Sequence, residues 1–242
     1  TTLNQNVGGG GGRQDTIGVF NPATATWYLR NSNGPGAPDI APFAYGGGNW
    51  IPIVGDWNGD GRTTIGVVNP QTEVWYLRNS NGPGGPDVTP FAYGLPGWIP
   101  IAGDWVGDGV TRIGVVNPAT ETWYLATPSG VTIVNFGAPG WIPIVGDWNG
   151  DGIANLGVVD PATETWYLAV PGTGLAVFAY GLPGWTPVAG DWNGDGVTNV
   201  GVVNPATEVW NLAVPGIGVV TFAYGAPGWK PLAGDWNFPA AP

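Results

Sequence analysis

The sequence predicts an all-β fold, a five-bladed β-propeller of four-stranded antiparallel blades whose ring is closed by the C-terminal strand. Three observations lead to this prediction. Fifteen tryptophans recur at three places in a unit that occurs five times. Each unit contains four short β-rich runs, and Gly or Pro residues separate them. Four strands in a period of about 45 residues is the size of one propeller blade.

The tryptophans fall into three series, and the spacings within the first are 48, 48, 43 and 44 residues. The first series is Trp27, Trp75, Trp123, Trp166 and Trp210; the second is Trp50, Trp98, Trp141, Trp185 and Trp229; the third is Trp57, Trp105, Trp148, Trp192 and Trp236. Burying one tryptophan removes roughly 200 Å² from water, worth on the order of 5 kcal/mol before opposing terms. We therefore expect these residues to form the core between blades. The alternative is that one series is a stacking platform for sugars.

The second repeat illustrates the four predicted strands. Residues 64–68 are rich in β-branched side chains and end at Asn69-Pro70, a pair that starts turns. Residues 74–77 complete a tight hairpin, and residues 88–93 form a third strand. The fourth strand spans residues 98–105, where prolines indicate that one side is weakly paired.

A glycine recurs within the first strand of every repeat, which suggests the innermost strand, where blades converge and side-chain room is smallest: Gly18, Gly66, Gly114, Gly157 and Gly201. A β-solenoid is the alternative architecture, but its coils are usually shorter and lack two hairpins per unit. The first repeat begins with its first strand, and the last repeat ends just after the fifth copy of the fourth strand. The C-terminal segment is therefore expected to close the ring against the first blade.

The repeat divides the chain into three parts. Residues 1–12 form a glycine-rich N-terminal tail, residues 13–238 a single five-repeat propeller domain, and residues 239–242 a C-terminal tail. The N-terminal tail has no counterpart in the repeat, so we expect a linker or a segment that docks on a neighbouring subunit. Residue 1 is not methionine, which suggests a processed product or an excised fragment.

Composition argues against several classes of function. The net charge of −11 disfavours nucleic acid and anionic membrane surfaces, which attract basic patches. No apolar run is long enough to insert across a membrane. Histidine and cysteine are absent, which removes Ser-His-Asp and Cys-His catalysis and the usual zinc sites. Acidic residues recur with the repeat rather than forming one unique constellation. We therefore expect no enzyme activity.

Four glutamates occupy one hairpin position and are expected to be solvated: Glu73, Glu121, Glu164 and Glu208, with Ala25 in the first copy. The loop after each fourth strand carries nine of the 17 acids. In three repeats this loop offers oxygen side chains at its first, third and fifth positions, with glycines that allow a sharp turn, as a Ca²⁺ loop requires. These candidate ligands are Asp56, Asn58 and Asp60; Asp147, Asn149 and Asp151; and Asp191, Asn193 and Asp195.

The sequence motifs Gly-Asp-Trp-Asn-Gly-Asp-Gly and Ile-Gly-Val-Val resemble those of the FG-GAP/VCBS family. This family comprises the calcium-loop propeller repeats of integrin α subunits and of secreted bacterial proteins. The resemblance covers nearly all of residues 12–238. It implies an extracellular or cell-surface propeller that binds Ca²⁺ and serves adhesion, scaffolding or ligand recognition. Family blades are often longer and commonly number seven, so the count of five rests on this sequence alone.

The calcium loops depart from the family pattern. A family loop usually has a carboxylate at its ninth position, where this chain has Thr64, Arg112, Asn155 and Asn199. Asn155 and Asn199 remain candidate ligands, but two carboxylates per loop predict weak affinity. In the Asp104 loop Val106 replaces an oxygen ligand, and we expect Arg112 to lie beside Asp104 and Asp108 in place of a metal. The alternative for every loop is a turn in which Asp and Asn bind backbone N–H groups.

Two functions follow as hypotheses. The first is a non-catalytic recognition or adhesion module, stabilised by Ca²⁺ and binding a glycan or protein ligand. The second is a structural subunit of a surface layer, appendage or filament, whose partners are copies of itself. Departures from symmetry are where function is expected: the long loops at residues 31–39 and 79–87, the preceding Arg30 and Arg78, and Asn211 in place of tyrosine.

Overall fold

A computed structural model describes residues 13–236, and both predicted tails lie outside the described residues. Twenty strands form five separate four-stranded antiparallel sheets. The sheets are the blades of a five-bladed β-propeller, which confirms the predicted fold class and blade number. Within residues 13–236 no helix is long and apolar enough to span a membrane.

Equivalent strands have similar bounds in every blade. The innermost strands are β4 (Ile51–Gly55), β8 (Ile99–Gly103), β12 (Ile142–Gly146), β16 (Thr186–Gly190) and β20 (Lys230–Gly234). The second strands are β1 (Thr16–Asn21), β5 (Thr64–Asn69), β9 (Arg112–Asn117), β13 (Asn155–Asp160) and β17 (Asn199–Asn204). The third strands are β2 (Thr26–Leu29), β6 (Val74–Leu77), β10 (Thr122–Thr127), β14 (Thr165–Val170) and β18 (Val209–Val214). The outer strands are β3 (Phe43–Ala44), β7 (Phe91–Ala92), β11 (Gly130–Asn135), β15 (Gly174–Ala179) and β19 (Gly218–Ala223).

The glycine-containing strand is the second strand of each blade, so the prediction that it is innermost is wrong. The proline-containing strands face one another around the central axis, where one edge of each pairs with no other strand of the described part of the chain. The glycine is required by packing within the blade. A Cβ atom at Gly157 would lie 2.6 Å from Ile144 Cγ2, 2.8 Å from Leu168 Cδ2 and 3.2 Å from Trp148 Cζ2. Large side chains from the strands on both sides meet over this backbone.

The C-terminal strand closes the ring, as predicted. Strand β20 pairs antiparallel with β1, so that Gly18 lies opposite Leu232 and Thr16 opposite Gly234. The first blade thus takes its innermost strand from the end of the chain and its other three strands from the beginning. A blade shared in this way ties the two ends of the repeat array together.

Hydrogen bonds between the loops at one end of the propeller link every blade to the next. The backbone N–H that precedes each second strand donates to the carbonyl of the loop aspartate in the preceding blade, as from Thr198 to Asp147 at 2.7 Å. The Thr198 hydroxyl in turn accepts the Asp147 N–H at 2.9 Å. At the interface of the third and fourth blades the equivalent residue is Ala154, which has no hydroxyl group.

The outer strands differ between blades. In the third, fourth and fifth blades they have six residues, whereas in the first and second they have two. The predicted third strand at residues 88–93 is therefore shortened to Phe91–Ala92. The long loop turns away early because the Asp87 and Val88 N–H groups both donate to the Leu77 carbonyl. Pro90 removes a further donor just before the short strand begins.

The three tryptophan series have different environments. The first series is fully buried, and each indole N–H donates to a carbonyl of the same blade, as from Trp166 to Tyr180 at 2.9 Å. The third series is buried apart from the half-buried Trp57. These two series form the core, as predicted. The second series is half-buried throughout and lies at the surface, against the expectation that all fifteen belong to the core.

Candidate functional site

The position-1 carboxylate of each acidic loop is the centre of a backbone turn. In the fourth blade Asp147 accepts hydrogen bonds from the N–H groups of Gly150, Asp151 and Gly152 at 2.7, 3.1 and 2.7 Å. Asp56 and Asp191 accept the equivalent three bonds in their own loops. Burial raises the pKa of these two carboxyls, while the N–H groups act in the opposite direction. Each of these loops is thus held in its turn conformation by hydrogen bonds from backbone N–H groups to its first aspartate.

The remaining candidate ligands also bond within their loops. Asp151 Oδ1 accepts the Ile153 N–H at 2.9 Å, and Asn149 Nδ2 donates to Asp151 Oδ2 at 2.9 Å. The same pairs link Asn58 to Asp60 and Asn193 to Asp195. Residues 13–236 contain no group of three or more acidic side chains arranged as a metal site. These contacts are the ones expected under the alternative interpretation, in which the loops are turns whose Asp and Asn side chains bind backbone N–H groups.

The Asp191 loop has the donor set that best fits a hard cation. Asn199 Oδ1, at the ninth position, is buried and has no hydrogen-bond partner among the described residues. In the Asp147 loop the equivalent Asn155 Oδ1 accepts the Trp148 N–H at 3.4 Å. Rotation of the Asn193 amide would add a second oxygen to the carboxylates of Asp191 and Asp195. All of these are oxygen ligands of the kind that Ca²⁺ takes.

Arg112 lies beside the carboxylates of the Asp104 loop in the third blade, as the sequence predicts. Its guanidinium forms two hydrogen bonds with Asp108, at 2.7 and 2.6 Å, and lies 3.8 Å from Asp104 Oδ1. The Arg112 hydrogen bonds lower the pKa of Asp108 to about 2. A fixed cation therefore stands between the two carboxylates of this loop.

The hairpin glutamates are buried, so the prediction that they are solvated is wrong. Each adopts a positive φ at the hairpin turn and is buried; Glu164 Oε2, for example, lies beside Gly181. Glu164 is 0% exposed, and neither of its carboxylate oxygens accepts a hydrogen bond of good geometry among the described residues, although the Gly184 N–H lies near enough to favour the charged form. Burial raises the pKa of all four glutamates to about 7. At Glu208 the neighbouring Lys230 partly opposes this rise.

The second-series tryptophans stack on tyrosines of the third strands. The ring centroids are 4.5–4.8 Å apart in four blades, and the pairs are Trp229–Tyr28, Trp50–Tyr76, Trp98–Tyr124 and Trp141–Tyr167. In the fifth blade Asn211 replaces the tyrosine, so Trp185 has no such partner. A tyrosine directly follows the first-series tryptophan in four of the five repeats. This recurrence was the available signal, but the sequence analysis did not connect it with the second tryptophan series.

A groove of about 330 Å³ lies between the fifth and first blades, and the Trp229–Tyr28 pair forms one of its walls. Residues of the fifth blade form the opposite side, including exposed Thr207 and buried Glu208. Pro38 of the first long loop lies at its edge. We refer to this space as the 5/1 groove.

Arg30 and Arg78 hold the long loops in place. Arg30 donates to the Gly34 carbonyl and the Ser32 hydroxyl at 2.9 Å, and its Nε lies 3.5 Å from Asp39 Oδ2. The guanidinium also lies over the ring of Tyr224 in the fifth blade, 5.7 Å from its centroid. Arg78 contacts Tyr45 of the first blade in the same way. Both arginines are buried, and their contacts are structural.

The chain matches no protein-family model, no curated protein and no solved structure.

Proposed function

We propose that this protein is a non-catalytic recognition module that binds a glycan at the cell surface or in the extracellular space. The 5/1 groove is the observation that carries the proposal. Its volume lies within the range of small-ligand pockets, and it combines an aromatic wall with a few polar groups. Both features suit a sugar, which presents C–H groups on one face and hydroxyls around its edge.

The aromatic wall is rigid. Stacking at 4.5 Å between Trp229 and Tyr28 keeps both rings in place, so little side-chain entropy is lost when a ligand packs on them. The Thr207 hydroxyl is exposed beside these rings and can both donate and accept. The long loop of the first blade, positioned by Arg30, narrows the groove at Pro38. These contacts define a preformed site of monosaccharide size.

A glycan array followed by titration calorimetry tests this function. Trp229→Ala is expected to weaken sugar binding at least tenfold, because it removes the wall of the groove. Trp185→Ala is the matched control, since this residue belongs to the same series but lacks a tyrosine partner. Its sugar affinity should equal that of the wild type. Absence of binding by the wild-type protein to every glycan, or equal loss in both variants, would refute the proposal.

We further propose that Ca²⁺ stabilises the Asp191 loop, with Asp191, Asn193, Asp195 and Asn199 as ligands. The unpartnered buried oxygen of Asn199 supports this choice over the other loops. Millimolar Ca²⁺ should raise Tm, and Asn199→Ala should reduce that shift. Arg112→Ala in the Asp104 loop is a control that should leave the Ca²⁺-induced shift in Tm unchanged, because Val106 leaves that loop without its third-position oxygen. If Ca²⁺ leaves Tm unchanged, the loops act only as turns.

The extracellular location and the adhesion role rest on the resemblance to FG-GAP/VCBS repeats. The second hypothesis, a structural subunit that assembles with copies of itself, is favoured by a different observation. This is the open, uncharged outer side of the last three blades.

A further inference from the structure

The rim of the propeller is divided into a protected and an unprotected part. In the last three blades, strands β11, β15 and β19 each leave one edge without a partner strand within residues 13–236, and they carry no charged residue. Their exposed side chains include Val131, Ile133, Leu175, Val177 and Val219. Open strands of this kind present free N–H and C=O groups to any further strand.

The first two blades lack this feature. Their outer strands have two residues each, and the long loops beside them carry the ion pairs Arg30–Asp39 and Arg78–Asp87. Short edge strands, charges and prolines are the usual means of preventing edge-to-edge association. One chain therefore contains both arrangements, and the contrast marks the rim of the last three blades as a contact surface.

An apolar groove of about 560 Å³ opens between the third and fourth blades in this rim, and we refer to it as the 3/4 groove. Trp105, Phe136, Leu156 and Leu175 are among the residues that line it. At the interfaces on either side a tyrosine occupies the position of Phe136, and its hydroxyl bonds to a carbonyl of the next blade at 3.2–3.3 Å. Phe136 has no hydroxyl and makes no such bond.

The tip of the β18–β19 hairpin carries the most exposed large apolar side chain of the rim. Ile217 is 76% exposed in a turn closed by a hydrogen bond from its N–H to the Val214 carbonyl at 3.1 Å. The equivalent residue of the fourth blade is the polar Thr173. We refer to residues 214–218 as the Ile217 hairpin.

We propose that a second copy of this chain inserts its Ile217 hairpin into the 3/4 groove of the first. An isoleucine side chain fits readily within the groove volume, and neither surface carries a charge. This matters for a chain of net charge −11, since copies repel one another wherever acidic surfaces meet. The wall of the 3/4 groove includes Leu175 of β15, whose open edge is available to pair with the open edge of β19 in the second copy.

The two halves of this interface lie on different blades of one molecule. The contact is therefore heterologous: each copy inserts a hairpin into one neighbour and receives a hairpin from another. Such contacts produce a closed ring or an open filament rather than a two-fold dimer. The 5/1 groove takes no part in it, so failure of glycan binding and failure of assembly are separate results.

Sedimentation velocity across micromolar to millimolar concentrations tests the proposal. The wild type should form species larger than a dimer. Ile217→Thr, which restores the residue of the fourth blade, should weaken association about tenfold or more because the apolar contact is lost. Leu175→Lys should do the same by placing a charge in the groove wall. Both side chains are exposed, so each variant should keep the wild-type Tm.

Mixing the two variants gives the decisive measurement. Ile217→Thr retains an intact groove and Leu175→Lys an intact hairpin, so together they should form a one-to-one complex that grows no further. A wild-type protein that stays monomeric at all concentrations would overturn the proposal. So would assembly that survives both substitutions, or a mixture that contains only monomers.

Discussion

The buried hairpin glutamates predict that the propeller loses stability as pH rises. In the folded state the pKa of Glu164 is about 7, against an ordinary value of 4.5, because burial penalises the charged form. Between these two values the unfolded chain has released the proton and the folded chain still holds it. Below pH 4.5 both states are protonated and there is no penalty. Above pH 7 the folded protein carries the full cost of a buried carboxylate.

The size of the effect follows from the pKa difference. Each pKa unit corresponds to about 1.4 kcal/mol, so Glu164 destabilises the fold by up to about 3 kcal/mol above pH 7. The nearby Gly184 N–H opposes the shift, and Asp160 adds to it by repulsion. Glu164→Gln retains the shape of the protonated side chain. The variant should match the wild type at pH 4.5 and exceed it by up to about 3 kcal/mol at pH 9.

Urea unfolding followed by tryptophan fluorescence, at a series of pH values, measures this difference. Asp160→Asn is the matched control, because it removes a carboxylate from the same hairpin and installs the asparagine found there in the other four blades. Asp160 is half-exposed and is the smallest of the named influences on the pKa of Glu164, so this variant should gain far less stability between pH 4.5 and pH 9 than Glu164→Gln does. The reasoning fails if the difference between Glu164→Gln and the wild type is the same at pH 4.5 and pH 9.

Two further predictions concern packing and the links between blades. Gly157→Ala should destabilise the protein by about 1–3 kcal/mol, because the new methyl group overlaps Ile144 and Leu168; Gly85→Ala, in open space, should be nearly neutral in the same urea experiment. Ala154→Thr should raise stability by about 1 kcal/mol by supplying the hydroxyl that other interfaces use, and Thr198→Ala should lower it by a similar amount. If both changes at the threonine position are neutral, the loop hydrogen bonds contribute nothing to the ring.

The sequence predicted the blade number, the strand order along the chain and the closure of the ring, because these follow from the repeat and its boundaries. It misplaced the glycine strand. A recurrent glycine indicates that a side chain has no room there, but not which neighbour takes the space. At Gly157 the space is taken by the side chains of Ile144 and Leu168 from the adjacent strands. It is not taken by neighbouring blades that converge at the axis.

The hairpin glutamates were misplaced for a different reason. A glutamate in a tight turn is normally solvated, and only the backbone shows otherwise. At Glu164 the backbone has a positive φ of 51°, and the side chain is buried beside Gly181 instead of pointing into solvent. The placement of Arg112 beside Asp108 was predictable, because the two residues carry opposite charges and lie four positions apart in one loop. The Trp–Tyr pairs could not be predicted from spacing. Each joins a tryptophan just before the innermost strand to a tyrosine on the third strand, and the spacing of residues along the chain does not show how these two parts of a blade are aligned.

The five interfaces between blades are built from one repeat, so their differences carry the functional information. At the 3/4 interface Phe136 lacks a hydroxyl, Ala154 lacks another, and Ala169 stands where the first two blades have arginine. Each change removes a polar contact, and together they leave a groove of about 560 Å³ without a filling side chain. At the 5/1 interface Arg30 and its loop are retained, and the space is narrower and partly polar. An apolar partner segment therefore fits the 3/4 groove and a small polar ligand the 5/1 groove.

Ala169→Arg should separate the two roles, because it introduces a charge into the 3/4 groove while leaving the Trp229 wall untouched. Sedimentation should then show monomers, and calorimetry should show unchanged glycan affinity; loss of both activities would mean that the two sites are not independent.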